Sequence, residues 1–193
     1  DLLEILTVAP LEDLHRFLNR TQAGPLLDPA SEKTAVSVRS NVASYVSSLY
    51  YLPVSGEPFG LRDWARNGDE GQWVFLNAAD DQLQSVRPLL SMWLEILTNA
   101  LLSLAESRTR RIWLVIDELP ALQTIPSLEH FLARARKHGG CAVLAIQGMS
   151  QLEDRYQREG AQTITNLCNT WVAMAQKDPT SAKWLATSFG QVE

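Results

Sequence analysis

The sequence predicts an α/β fold, a parallel sheet flanked by helices, with an all-helical stretch in front of it. Three observations carry this reading. Residues 112–116, Ile-Trp-Leu-Val-Ile, form an unbroken apolar run, the pattern of a strand covered on both faces in a parallel sheet. From about residue 59 onward, short apolar runs alternate with longer stretches of helical period, which is strand–helix–strand order. Residues 1–58 show the helical period alone.

The elements follow in order. Pro10 suits the first turn of a helix whose apolar positions Leu11, Leu14, Phe17 and Leu18 recur at helical spacing. Gly24-Pro25 and Asp28-Pro29 break the chain. A second helix is expected from Ser31 or Glu32 to Tyr50, with Val38, Val42, Tyr45, Val46 and Leu49 on one face, followed by a connector from Pro53 to Gly60. Gln72 to Asn77 is expected as a strand, residues 81–106 as a long helix and Arg111 to Ile116 as the next strand. Ser127 to His138 reads as a helix closed by Gly139-Gly140. Cys141 to Gln147 reads as a strand, and Ser150 to Leu167 as one or two helices broken near Gly160. Ser150 is the expected cap of that region, with Glu153 as its capping-box partner. Thr170 to Ala175 completes the strands, and Pro179 to Phe189 the helices. Trp73, Trp93, Trp113 and Trp171 lie on strands or apolar helix faces and are expected in the core, whereas Trp64 and Tyr156 are less clearly core.

Composition bounds the function. A chain of 193 residues with 46% hydrophobic and 20% charged residues has enough material for one domain, or a domain plus a subdomain. A net charge of −5 argues against wholesale coating of nucleic acid while leaving room for a local basic patch. Cys141 and Cys168 sit in apolar runs, as small buried hydrophobes of a reducing compartment do. The apolar segment Pro88 to Leu104 contains Glu95 and Asn99 and is short of the roughly 20 residues a membrane span needs. No signal peptide is visible, and the start at Asp1 without methionine reads as a piece of a longer protein.

The chemistry concentrates at strand ends, where open α/β sheets bind ligands. Asp117 and Glu118 follow the apolar run directly. One acid can hold a hydrated Mg²⁺ and the next can orient or deprotonate a water that attacks a γ-phosphate, the Walker B arrangement of a nucleotide-driven motor. The same pair also serves a buried strand that meets a helix through an acidic cap. Gln147 closes the following strand, where its amide can donate to a phosphate oxygen and position a water, or simply end the strand in solvent. Arg134, Arg136, Lys137 and His138 crowd one helix end. The macrodipole favours cations there, and a solvated basic face explains them; an arginine reaching a neighbouring subunit's ATP is the functional alternative. Arg108, Arg110 and Arg111 form a basic knot that fits a solvated turn or a DNA-phosphate contact. His15, His130 and His138 lack ligand spacing with the cysteines, so no zinc site is expected. Nowhere in these residues is there a Gly-x-x-x-x-Gly-Lys-Ser/Thr loop to grip a triphosphate.

Several ordered segments together resemble the TraD/TraG coupling ATPases of bacterial conjugation and type IV secretion. They are Trp113-Leu-Val-Ile-Asp-Glu-Leu-Pro-Ala-Leu122, Pro126-Ser-Leu-Glu129, Ala133-Arg-Ala-Arg-Lys-His-Gly-Gly140, Gln147-Gly-Met-Ser-Gln-Leu152, Asn166-Leu-Cys-Asn-Thr170 and the ending Ala182 to Glu193. The resemblance is strong over residues 58–193. It implies a RecA-like motor domain in a hexameric ring on the cytoplasmic face of the inner membrane. It implies ATP and Mg²⁺ as cofactors, and a motor that moves single-stranded DNA with its attached relaxase toward the secretion channel. It places Asp117 on Mg²⁺ through water, Glu118 as catalytic base, Gln147 as the phosphate-sensing amide and Arg136 as the trans-acting arginine. Residues 1–58 then form part of an inserted all-alpha docking subdomain plus connector, and 59–193 the C-terminal part of the motor. The phosphate loop and membrane helices of this family are expected before Asp1. A chain that lacks the loop is expected to be inactive alone. The rival readings are a docking module for relaxase or DNA that hydrolyses nothing, and a chromosome-segregation-type translocase of the same superfamily.

Overall fold

The computed structural model of the chain describes residues 2–27, 32–68 and 71–189. The expected Asp28-Pro29 break, the possible helix start at Ser31 and the last four residues lie outside the described residues. The chain divides into two compact units, residues 1–57 with 76–89, and residues 58–75 with 90–193.

The first unit is helical. Helix α1 spans Leu2–Thr7, α2 Leu11–Leu18 with Pro10 at its N-cap, and α3 Glu32–Val46, which continues as a 3₁₀ turn over Ser47–Tyr51. Buried Leu14, Leu27 and Ala35 form a small core flanked by Ile5, Leu6, Leu11, Leu18 and Val38. The expected face of α3 is half-buried at Val38, Val42, Val46 and Leu49, but Tyr45 is exposed. On α2 the expected apolar stripe is buried at Leu14 and half-buried at Leu11 and Leu18, but Phe17 is exposed.

The second unit contains the sheet. Strand β1 (Ile112–Ile116) pairs in parallel with β2 (Gly140–Leu144), with Ile112 opposite Gly140 and Ile116 opposite Leu144. The connection runs through a 3₁₀ turn at Leu119–Ala121, helix α6 (Leu128–Arg134) and a second 3₁₀ turn at Ala135–His138. Helix α7 (Met149–Leu167) follows β2 and packs on α6, and α8 (Pro179–Phe189) packs on α7. Helix α5 (Leu83–Leu102) contributes its early residues to the first unit and the rest to the second. Leu114 and Ile116 on one face of β1 are buried, as are Leu119, Ile125, Leu128, Phe131, Leu152 and Ile164. A helix over Leu61–Asn67, α4, lies in a segment for which no helix is expected.

Several expectations are corrected here. The segments 72–77 and 170–175 form no strand, and neither belongs to the sheet. A strand requires a neighbour to take its N–H and C=O groups, and among the described residues no strand pairs with either segment. Their alternating apolar side chains face outward: Trp73 is 73% exposed, Phe75 77%, Val172 83% and Met174 80%. Strand β1 is covered on one face only, because no described element packs over Trp113 and Val115, both exposed. Trp73 and Trp113 are thus outside the core, whereas Tyr156 is inside it. Trp171 makes ring contacts with Trp184 at 5.0 Å and Phe189 at 6.0 Å. Ser150 makes no cap hydrogen bond; instead the Ser181 hydroxyl of α8 accepts from Met149 N at 3.0 Å.

Candidate functional site at the carboxyl ends of the parallel strands

The ends of β1 and β2 are stitched together just beyond the ladder. Ala145 N donates to Ile116 O at 2.8 Å, and Leu119 N donates to Ala145 O at 3.0 Å. Asp117 and Glu118 lie within this stitch, and Gln147 lies two residues past it. The register of a parallel pair brings these three residues to one edge of the sheet.

Glu118 and Gln147 border one open cavity of about 420 Å³, together with Pro120, Ala121, Gln151, Asp154 and Arg155. Asp117 is exposed beside Glu118 but does not border that cavity. Glu118 Oε1 is buried and has no hydrogen-bond partner. A buried acceptor left in that state costs free energy of about 1–3 kcal/mol, and a bound water or ligand donor would relieve it. The backbone at Glu118 is extended (φ −141°, ψ 85°) before the turn at Leu119–Ala121, which is how two adjacent acids come to differ in exposure.

Arg136 occupies the other end of the sheet. It lies in the 3₁₀ turn that feeds the amino end of β2, separated from the acids by the five-residue length of the strands, roughly 15 Å. Gly139 sets this corner: its φ is 83°, and a Cβ there would come within 2.6 Å of Arg110 O. A Cβ on Gly140 would meet Ala135 Cβ at 2.7 Å. Ile112 N donates to Gly139 O at 2.9 Å, and Ser107 N donates to Lys137 O at 2.9 Å. The neighbouring basic side chains are engaged. Lys137 pairs with Glu106 at 3.1 Å, His138 Nδ1 contacts Leu104 O at 2.6 Å, and Arg134 lies 3.5 Å from His130 Nε2. Among the described residues Arg136 is exposed and its guanidinium makes no hydrogen bond or ion pair. The structure therefore joins Glu118 to Gln147 and separates Arg136 from both within one chain.

No three His, Cys, Asp or Glu side chains among the described residues gather into a metal cage. Magnesium needs none, being commonly held by one or two carboxylates together with waters and substrate phosphates. The exposed Asp117 carboxylate and the unpartnered Glu118 oxygen are donors of that kind. Sequence reasoning did not single out Gln151, Asp154 and Arg155. Their i, i+3, i+4 spacing on one helix face just after Gln147 is the signal that marks them.

Away from the cavity, a polar brace fixes the start of α6. Glu95 Oε2 accepts from Ser127 N at 2.9 Å and from the Ser127 hydroxyl at 2.5 Å, and that hydroxyl also meets Thr98 Oγ1 at 2.5 Å. Partial burial pushes the Glu95 carboxyl up, but the hydrogen bonds from Ser127 and Asn99 outweigh it and hold it below the ordinary range.

Comparison with known proteins agrees with the fold. A model of the type IV secretion-system coupling protein DNA-binding domain matches residues 1–193. The coupling protein TraD of Escherichia coli (strain K12) is 37% identical over 198 residues, covering 100% of this chain and 28% of TraD. The bacterial conjugative coupling protein TrwBdeltaN70, in its unbound monoclinic form, superposes with a TM-score of 0.76 at 32% identity, over 86% of this chain and 39% of that one. The plasmid coupling protein TrwB in complex with ADP and Mg²⁺ gives a TM-score of 0.75 at 32% identity, over 86% of this chain and 40% of that one. The chain thus spans between a quarter and two fifths of the relatives it matches. Its fold class is the RecA-like α/β fold with an all-alpha part. With its whole length matched by the family model, the chain belongs to the type IV secretion-system coupling protein DNA-binding domain family.

Proposed function

We propose that this chain is part of a coupling ATPase of bacterial conjugation and type IV secretion, which recruits a relaxase–DNA substrate and drives single-stranded DNA transfer by ATP hydrolysis. One observation supports it above the others. Adjacent parallel strands deliver Glu118 and Gln147 to one cavity, and a buried Glu118 oxygen there lacks a partner. In this reading Asp117 holds Mg²⁺ through water, and the ion would neutralise charge on the bound phosphates. Glu118 accepts the proton of the attacking water, Gln147 donates its amide to the γ-phosphate, and Arg136 serves the site of a neighbouring subunit.

TrwB has been solved with ADP and Mg²⁺ and with non-hydrolysable GTP and ATP analogues, which supports nucleotide binding at this site. The phosphate-gripping lysine loop is not in these 193 residues, so the intact protein supplies it and this chain alone turns over no ATP. Residues 1–58 act as part of an all-alpha docking subdomain for relaxase or DNA, and residues 59–193 as the C-terminal part of the motor. The helical core at Leu14, Leu27 and Ala35 supports a docking part that keeps its own shape. The assembly is a hexamer at the cytoplasmic face of the inner membrane, working with the channel components. No described helix is long and apolar enough to cross a membrane.

The test is E118Q in the full-length protein. Turnover should fall by about 10²- to 10⁴-fold, the range for a positioned general base, while ATP is retained and DNA binding persists. Turnover at the wild-type rate removes Glu118 from the mechanism.

A further inference from the structure

Helix α7 is two helical runs joined at Gln157, whose φ of 59° and ψ of 168° place it in a region that only glycine enters readily. Among the described residues it is the one non-glycine residue with positive φ. Such outliers persist where the surroundings over-determine them. The two residues before it supply those surroundings. Arg155 Nε donates to Pro120 O at 3.3 Å, Thr124 Oγ1 donates to Arg155 O at 3.0 Å, and Ile125 N donates to Tyr156 Oη at 3.3 Å. Three bonds from one turn of α7 thus grip residues 120–125, the loop that leaves the acid pair. Two of the three use backbone or buried phenol groups and fix the far part of that loop. The third is the half-buried Arg155 guanidinium. It holds the carbonyl two residues after Glu118 and borders the same cavity as Glu118 and Gln147.

The chain between the cavity's two polar groups also closes on itself. Gln147 passes through Gly148 into α7, whose first run carries Gln151, Asp154 and Arg155 back to the cavity. A guanidinium presents its donors in a fixed planar fork, so a bond from it restrains direction as well as distance. We propose that Arg155 is a positioning residue for the hydrolytic site: its bond to the Pro120 carbonyl holds the Glu118 carboxylate toward the space shared with Gln147, and the turn at Gln157 keeps Arg155 in reach. This rests on the reading of Glu118 as the base. A displacement near 1 Å of a reacting group can cost about 10²-fold in rate, so the loss of one directional restraint is a measurable event.

The experiment uses the full-length protein with R155A, R155K and E118Q side by side, measuring kcat and KM for ATP in steady-state turnover, and thermal unfolding. R155A should lower kcat by about 10- to 100-fold with KM for ATP within about twofold, because an interaction that matters only in the transition state is lost. R155K keeps the stem and one donor and should recover part of the rate. An unchanged kcat in R155A overturns the proposal. So does a raised KM at constant kcat, which would mark a direct nucleotide contact. If R155A unfolds at lower temperature, R155K decides: wild-type unfolding without any recovery of kcat counts against positioning through the carbonyl. If E118Q itself turns over ATP like wild type, the reading of the site has failed rather than the role of Arg155 alone.

Discussion

At the carboxyl end of β1 and β2, polar side chains border open space and one buried oxygen waits for a donor. At the amino end, the backbone closes around Gly139-Gly140, the side chains of Lys137, His138 and Arg134 each have a partner, and Arg136 is exposed and unengaged. The same two strands therefore carry a site at one end and a rigid mount at the other. The contrast teaches that a residue's distance from the site within its own chain does not exclude it from the chemistry. A guanidinium mounted roughly 15 Å away on that corner is out of reach of its own chain's acids, and in the proposed reading it serves a neighbour's.

Breaking the mount and breaking the site should have different signatures. The largest effect is expected from R136A in the full-length protein. Turnover should drop by about 10³-fold or more, as for other trans-acting arginines, with unfolding temperature unchanged because Arg136 is exposed and unpaired. A drop of less than tenfold would leave Arg136 as a solvated cation only. G139A comes next. The added methyl meets Arg110 O at 2.6 Å in a backbone of positive φ, which should cost about 1–3 kcal/mol of stability in denaturant unfolding. If G139A unfolds like wild type, the corner is not the rigid mount described here. E118Q should leave unfolding unaltered, which separates the two ends of the sheet.

The smallest effect concerns the brace that starts α6. The folded pKa of Glu95 lies below its unfolded value of about 4.3, so the folded protein binds fewer protons than the unfolded one through that range. The stabilisation is present above the unfolded pKa and disappears as pH falls through the folded one. E95Q should be less stable than wild type at neutral pH by less than about 1 kcal/mol, since solvent screens this group. The gap should close on acidification below about pH 4. A gap that widens in acid would contradict the hydrogen-bond account.

The parts of this molecule legible in the sequence are those whose signal is local. The run Ile112–Ile116, the αL glycine at 139 and the period of α2 and α5 each report their own environment. The acid pair and Gln147 could be placed because strand ends follow from strand positions, and the parallel ladder then brings Glu118 and Gln147 together. What failed depends on partners. Residues 72–77 and 170–175 alternate as strands do, but alternation cannot supply the neighbour that makes a ladder, and their outward rings and side chains show the pattern without the pairing. The full coverage expected of β1 failed for the same reason, because burial of Trp113 and Val115 depends on what lies over them. The cap of α7 came from Ser181, 32 residues away from Met149, rather than from Ser150 next door. The grip of Arg155 and Tyr156 on the loop after the acids is likewise a long-range fact.

The most direct measurement of the central claim mixes subunits. Full-length E118Q and R136A, each inactive alone, are co-assembled at varied ratios and ATP turnover is followed. If the carboxyl-end acid and the amino-end arginine work across a subunit boundary, mixed assemblies contain interfaces with both groups intact, and turnover reappears with a maximum near equal proportions. No turnover at any ratio, in assemblies shown to contain both variants, would contradict the account.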